Sequence, residues 1–175
     1  MNGVHPACWS DDELLSQCRL TFSRASGPGG QNRNKVETCV QIEFLPAGII
    51  AIASERRSQN ENRNVAIQRL RCKLAVEFQM ESISSELNAR KKARSETWQR
   101  YCRDGRVNIA ETNAEWPAVL AEVITCFRID DWNIGAVADE LGTSSSQLVK
   151  LLKKHAPAFS LFNQERSTRG QRPLT

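Results

Sequence analysis

The sequence predicts an α+β fold in which a small antiparallel sheet packs on a long helix, followed by a small all-α unit. Three short segments with alternating apolar and polar residues fall within residues 19–54, close enough together for antiparallel hairpins. Residues 59–80 then carry apolar residues at helical spacing, which is typical of an amphipathic helix. In residues 117–157, two short helical patterns joined by Leu-Gly-Thr-Ser indicate a helix-turn-helix-like unit, although an ordinary three-helix bundle gives the same pattern.

Local signals place the first elements. Ser10 precedes three acidic residues and is a good N-cap for a helix. Strands are predicted at 19–24, 38–44 and 48–54, the third more buried than the others, with Pro46 and Gly48 marking the turn before it.

Ser58 is a plausible cap for the long helix, whose predicted outer face is basic. That face carries Arg63, Arg69, Arg71 and Lys73. Helical character is expected to continue through 88–103 and to end near Gly105. Four regions follow from this pattern: a first domain at 1–105, a linker at 106–116, a helical unit at 117–157 and a basic tail at 158–175. Within the tail, residues 164–175 are expected to be disordered.

Composition narrows the class of protein. Among 175 residues, 40% are hydrophobic and the formal net charge is +4, which favours a folded chain. No apolar run is long enough to cross a bilayer and the N-terminus lacks a signal-peptide pattern, so we expect a cytoplasmic protein without a membrane partner. The six cysteines contain no CxxC pair and the two histidines lie at opposite ends of the chain. We therefore expect reduced thiols, no metal site and no cofactor.

The positive charge is unevenly distributed. Residues 54–106 carry thirteen Lys and Arg against seven Asp and Glu, whereas residues 107–163 carry four against seven. A basic middle beside an acidic segment indicates a polyanionic partner, although a solvated charged helix gives the same count.

Residues 26–35 read SGPGGQNRNK. Glycine permits backbone conformations and close approaches that other residues forbid, and Pro28 stiffens one step of the path. The segment predicts an exposed loop that presents Gln31 without a histidine, carboxylate or thiol, so acid–base or nucleophilic catalysis by its side chains is not expected.

The residues around this loop resemble a known family. SGPGGQN is followed by NKVET, a strand, a Pro-Ala-Gly turn, another strand and ERRSQ with Asn62 opening a helix. Over residues 18–80 this order is similar to the catalytic domain of class I peptide chain release factors and of the short peptidyl-tRNA hydrolases that rescue stalled ribosomes.

The resemblance implies hydrolysis of the ester between a nascent peptide and P-site tRNA inside the ribosome, with ribosomal RNA of the peptidyl-transferase centre as partner. Gly29 and Gly30 would let the loop enter that cavity. The backbone N–H of Gln31 would stabilise the oxyanion or leaving oxygen, and its side chain would position water. The family also implies methylation of Gln31 by a glutamine methyltransferase.

Several cations are candidates for contacts with RNA phosphates. They are Arg24, Arg33 and Lys35 around the loop, Arg90, Lys91, Lys92 and Arg94 in the basic middle, and Arg166, Arg169 and Arg172 in the tail. In short rescue hydrolases a basic tail occupies the vacant mRNA channel. Trp98 and Tyr101 either stack on bases or belong to the core. Arg57, Ser58 and Gln59 resemble an Arg-Ser-Gln element of the family, or they form a helix cap that holds the sheet against the helix.

Two departures from the family bear on function. Pro28 replaces a smaller residue, and the chain is too short for a stop-codon-reading domain, so we expect release without codon reading. Two alternatives remain open: a ribosome- or RNA-binding factor without hydrolysis, and a DNA-binding regulator that acts through residues 117–157.

Overall fold

The computed structural model of the chain describes residues 4–24, 37–80 and 94–174. They divide into two compact units, Val4–Phe78 and Gln79–Thr175, here called the N-terminal unit and the C-terminal unit. The division falls at Phe78, whereas the sequence pattern predicts a domain boundary near residue 105.

The N-terminal unit is a three-stranded antiparallel sheet packed on one long helix, as the sequence predicts. Its elements are α1 (Asp11–Ser16), β1 (Cys18–Ser23), β2 (Cys39–Phe44), β3 (Ile49–Ala53) and α2 (Gln59–Glu77). The strand order is β1-β2-β3. Both predicted caps are confirmed: the Ser10 hydroxyl accepts from the Glu13 N–H in a capping box, and the Ser58 hydroxyl accepts from the Glu61 N–H.

The core of this unit lies between the central strand and α2. Val40, Ile42 and Phe44 alternate along β2 and are buried, opposite Leu70 and Leu74 of the helix. The prediction that β3 is more buried is wrong, because β3 is an edge strand whose Ile50 and Ile52 are 36% and 49% exposed.

The basic residues of α2 are not a uniform outer face. Arg71 is buried, and its guanidinium donates to Ala7 O at 2.9 Å and to Asp11 Oδ1 at 2.7 Å. Lys73 Nζ donates to Ile50 O and Arg69 Nη1 donates to Ile52 O, each at 2.7 Å. Side chains of α2 therefore donate hydrogen bonds to two carbonyls of edge strand β3. Left without partners, these carbonyls could pair with a strand of another chain.

The C-terminal unit is mainly helical. Its elements are α3 (Glu96–Tyr101), the two-residue strands β4 (Cys102–Arg103) and β5 (Arg106–Val107), α4 (Trp116–Ile129), α5 (Ile134–Leu141), α6 (Ser145–Lys154) and α7 (Ala156–Thr168). The predicted pair of short helices is α5 and α6, joined by a turn with Gly142 in the left-handed conformation.

Residues 94–116 differ from the prediction. Helix α2 ends at Glu77 and Phe78 is extended, so α2 itself does not continue to Gly105, which lies in the β4–β5 turn. The helical character predicted for 88–103 is present at Glu96–Tyr101 as α3, and residues 88–93 lie outside the described residues. The predicted linker contributes Ile109 and Trp116 to the core. Trp98 is fully buried and its indole N–H donates to Leu141 O at 2.9 Å, so its role is packing and not base stacking.

The prediction that residues 164–175 are disordered is wrong. Helix α7 continues to Thr168 and buries Ala158 and Phe162. The chain then turns back along the helix, where the Asn163 side chain exchanges two hydrogen bonds with the backbone of Leu174 at 2.9 and 3.0 Å. A long-range amide contact that leaves no periodic trace in the sequence therefore orders this segment.

Two further findings concern the described residues. No helix among them is both long and apolar enough to cross a membrane. Their cysteines are free thiols, of which Cys126 is buried and Cys8 is exposed. Burial raises the pKa of the Cys18 thiol to about 11, so this thiol stays protonated at neutral pH.

The contact between Gly142 and Arg94 makes a testable prediction. Gly142 has φ +61°, and a Cβ added there would lie 2.3 Å from Arg94 Nη1. Gly142→Ala should destabilise the protein by about 1–2 kcal/mol, because a left-handed residue with a side chain is strained and the methyl group displaces the guanidinium. Urea unfolding monitored by tryptophan fluorescence measures the change.

The matched control is Gly170→Ala, which has φ +69° and no atom within 4 Å of the added Cβ. We expect the extra loss at Gly142 to disappear when both substitutions are compared in an Arg94→Ala background. If the extra loss persisted there, a contact other than Arg94 would be responsible.

Candidate functional site

The glycine-rich loop itself lies outside the described residues, which stop at Arg24 and resume at Glu37. Gly29, Gly30, Gln31, Arg33 and Lys35 are therefore not placed. The same holds for Arg90, Lys91 and Lys92. The structure does describe the frame from which the loop leaves and to which it returns.

That frame is one end of the sheet, called here the loop end. It consists of Ser23 and Arg24, Glu37 and Thr38, and the turn 54–58 that follows β3. Ser23 pairs with Cys39, and Val40 pairs with Ala53. The two chain segments that flank the loop are therefore neighbours in the sheet, with the β3–α2 turn beside them.

Asn62 is the centre of the loop end. It lies in the second turn of α2, is fully buried, and directs its side-chain amide back at the sheet. Its Nδ2 donates to Thr38 O at 2.6 Å and to Arg56 O at 3.0 Å, and its Oδ1 accepts from the Arg56 N–H at 2.9 Å. One buried amide thus joins the segment after the loop to the β3–α2 turn, using both of its N–H donors and one of the two lone pairs of Oδ1.

A second amide acts on the neighbouring residue. Gln59 Nε2 donates to Glu37 O at 2.7 Å, and Ser58 caps the helix that carries both amides. Of the two roles open to Ser58 and Gln59, the contacts in the described residues are those of the structural one. Sequence reasoning used Asn62 only as part of a motif; the available signal was a second amide three residues after Gln59, on the same helix face.

The charged side chains at the loop end differ in whether they form ion pairs. The Glu55 carboxylate accepts from the Ser54 N–H and from Arg69. Burial acts to raise the pKa of Glu55, but these hydrogen bonds and the Arg69 charge outweigh it and lower the pKa. Arg24, Arg56 and Arg57 are exposed, and within residues 4–24, 37–80 and 94–174 none of the three has an ion pair. The loop end therefore presents three arginine side chains without an ion pair in the described residues, together with the exposed carboxylate of Glu37.

The predicted RNA-binding cations of the C-terminal unit have contacts of their own. Arg94 Nε donates to Glu140 O at 3.0 Å, at the end of α5. Arg169 pairs with Asp131 at 2.8 Å and with Glu165 at 2.6 Å. Arg166 lies over the Phe162 ring and donates to Arg172 O. Arg94 and Arg169 are thus engaged in holding the fold together, and the three C-terminal arginines do not form an extended basic strand.

Comparison with known proteins identifies a protein family that matches this chain. The model of the RF-1 domain matches residues 14–113, a span that includes the loop, the loop end and α2. Peptide chain release factor 1 of Mycoplasma genitalium is 41% identical over 76 residues, which is 43% of this chain and 21% of that protein. Peptide chain release factor 1-like, mitochondrial, of Mus musculus is 40% identical over 88 residues, or 47% of this chain and 24% of that protein.

A plastid relative gives a similar result. The chloroplastic peptide chain release factor PrfB1 of Arabidopsis thaliana is 49% identical over 57 residues, which is 33% of this chain and 12% of that protein. The chain spans about a quarter or less of the length of these relatives. Since the family model covers more than half of the chain, including the glycine-rich loop and the helix that holds its return, the chain belongs to the RF-1 domain family of peptide chain release factors.

Proposed function

We propose that this protein hydrolyses the ester of peptidyl-tRNA on the ribosome and so releases the nascent peptide. The observation that carries the proposal is the loop SGPGGQN, which falls inside the RF-1 match and whose return is bonded by two amides of α2 at Glu37 and Thr38. A rigid frame around a loop of small residues suits insertion into a narrow cavity.

In the proposed reaction, a water oxygen adds to the ester carbonyl carbon and the bond to the terminal ribose oxygen breaks. The leaving oxygen departs with a proton that came from the water. The backbone N–H of Gln31 stabilises the negative charge that develops on oxygen, and the Gln31 side chain orients the water. Gly29 and Gly30 leave room for the surrounding RNA. Methylation of the Gln31 amide by a glutamine methyltransferase is part of the proposal.

Ribosomal RNA is the proposed partner at the loop end. Arg24, Arg56 and Arg57 present charge without a carboxylate partner in the described residues, and Arg33 and Lys35 lie within the loop between them. Cations of this kind bind phosphates and release counterions, so their contribution falls as salt rises. The basic run Arg90, Lys91 and Lys92 is proposed as a second contact.

We further propose that release does not require a stop codon, and that the C-terminal unit takes part in recognising the ribosome. The DNA-regulator alternative gains little support from α6, the second helix of the predicted pair. Gln147 accepts from the Val107 N–H, Lys154 donates to Ile109 O, and His155 contacts Glu111. Residues 107–111 thus occupy one side of α6, whereas Lys150, Lys153 and Lys154 on that helix are exposed. The acidic balance of residues 107–163, with four Lys and Arg against seven Asp and Glu, is the argument against binding in a DNA groove.

The first prediction concerns the loop. Gln31→Ala or Gly30→Ala should abolish peptide release, since the first removes the side chain that orients water and the second adds a methyl group where the backbone must approach RNA. Ribosome binding and thermal stability should stay near wild type, because the loop sequence SGPGGQNRNK contains no large apolar side chain that a core would need. Release is measured on ribosomes carrying labelled P-site peptidyl-tRNA.

Gln17→Ala is the matched control, since Gln17 is an exposed glutamine at the end of α1 in the same unit. It should release peptide at the wild-type rate. Wild-type release by Gly30→Ala would overturn the loop mechanism.

The second prediction concerns charge at the loop end. Replacing Arg24, Arg56 and Arg57 together by Gln should weaken ribosome association and reduce the slope of log affinity against log salt by about 2, since three phosphate contacts on RNA each contribute roughly 0.7. Association is measured by pelleting or filter binding across a salt series.

Two further triple substitutions each remove three positive charges elsewhere in the chain. Replacing Arg90, Lys91 and Lys92 tests the second proposed contact and leaves Arg94 at its place against α5. Replacing Arg103, Arg106 and Lys150, which are exposed and have no ion pair in the described residues, removes three charges without breaking a salt bridge and should leave the slope unchanged. Equal effects of the loop-end set and this last set would show that only total charge matters.

The third prediction separates codon-independent release from stop-codon reading. Wild-type protein should release peptide equally well from ribosomes whose A site holds a stop codon, a sense codon or no mRNA. A rate that is high on stop codons alone would contradict codon independence while leaving hydrolysis in place. No release on any of them, with binding retained, would favour the non-hydrolytic alternative.

A further inference from the structure

We propose that Asn62 and Gln59 are positioning residues that set the direction in which the chain returns to the sheet after the Gln31 loop. This inference rests on the proposed function and names the groups that prepare the loop for it. Both residues stand in the first two turns of α2, three positions apart and therefore on one face. In the described residues, each acts through Glu37 or Thr38, the backbone that follows the loop.

The two side chains donate hydrogen bonds to the backbone carbonyls of consecutive residues. Gln59 Nε2 donates to Glu37 O at 2.7 Å and Asn62 Nδ2 donates to Thr38 O at 2.6 Å. A side-chain donor on each carbonyl fixes the orientation of two successive peptide groups. These are the groups immediately before β2 and six or seven residues after Gln31, so their orientation determines where the returning half of the loop begins.

The same amide extends the frame to the adjacent turn. Asn62 bonds both the N–H and the carbonyl of Arg56, so the β3–α2 turn and the segment after the loop are held by one buried side chain. On the other side of the loop, the described anchor is the ladder pair between Ser23 and Cys39. The returning side therefore has side-chain anchors in addition to the sheet.

The exposure of the two amides separates a positioning role from a stabilising one. Asn62 is fully buried, and losing its bonds leaves backbone groups unsatisfied, which lowers stability whatever its function. Gln59 is exposed, so water can replace its bond to Glu37 O at small cost to the fold. An effect of Gln59 on the release rate therefore reports position and not unfolding.

The experiment compares two charge-matched pairs in the full chain. Gln59→Glu turns the donor to Glu37 O into an acceptor, and its control is Asn60→Asp, which adds the same charge at the next, exposed residue. Asn62→Asp removes the donor to Thr38 O, and its control is Asn64→Asp on the exposed side of α2. Single-turnover peptide release is measured against protein concentration, together with thermal unfolding.

We expect Gln59→Glu to lower the maximal release rate about tenfold or more, because misplacing a reacting group by about 1 Å costs up to 10²-fold. Its half-saturating concentration and thermal stability should stay close to those of Asn60→Asp. Asn62→Asp should lower the maximal rate further and also reduce stability.

The outcomes distinguish this inference from the proposed function. If wild-type protein releases peptide and Gln59→Glu releases it as fast as Asn60→Asp, the positioning role is wrong and hydrolysis stands. A loss that appears only in half-saturating concentration would also overturn it, since that is a loss of binding. If wild-type protein does not release peptide, the proposed function fails before the variants are compared.

Discussion

The hydrogen bonds of one buried amide govern the region around the candidate site. Asn62 reaches from α2 to Thr38 and Arg56, which are 24 and six residues away in the chain. An unsatisfied buried polar group costs about 1–3 kcal/mol. The native arrangement of strand, turn and helix is therefore favoured, because in it the Asn62 amide, the Thr38 carbonyl and the backbone of Arg56 satisfy one another. The helix can begin where it does because Ser58 caps it and Asn62 faces inward.

Local signals predicted most of the N-terminal unit, because its elements are marked by residues adjacent in sequence. Ser10, Ser58 and the turn around Pro46 act on their own neighbours, and β2 alternates strictly. The errors arose where distant contacts decide the structure. Arg71 has the spacing of a surface residue and is buried by Asp11 and Ala7, 60 and 64 positions away. The order of the C-terminal segment depends on the bonds of Asn163 to Leu174, which no propensity reports.

Charge shows the same division between local and distant information. The charge count predicts a basic middle, but in the structure several of those cations bind other groups of the protein. Arg69 bonds Glu55 and Ile52 O, Lys73 bonds Ile50 O, and Arg71 bonds Asp11. At the loop end, Arg56 and Arg57 of that basic middle have no ion pair in the described residues, and neither has Arg24, which precedes the loop. Because side-chain pairing cannot be read from composition, a count of charges overstates the surface available to a polyanion and does not locate it.

The C-terminal unit constrains how the rest of the chain contributes to function. Trp98 lies inside the region matched by the RF-1 model, whereas Leu141, whose carbonyl accepts from its indole N–H, lies outside. Trp116 and Phe127 complete a core in which Phe127 stacks on Trp132 at 5.7 Å and tilts against Phe162 at 4.9 Å. Residues on both sides of position 113 therefore share one hydrophobic core, and large apolar side chains of this kind each contribute roughly 1.5–3 kcal/mol on burial. A truncation after the family match would expose Trp98 and unfold what remains of this unit. The part that we propose for it in ribosome recognition is therefore tested by point substitutions on its surface and not by deletion.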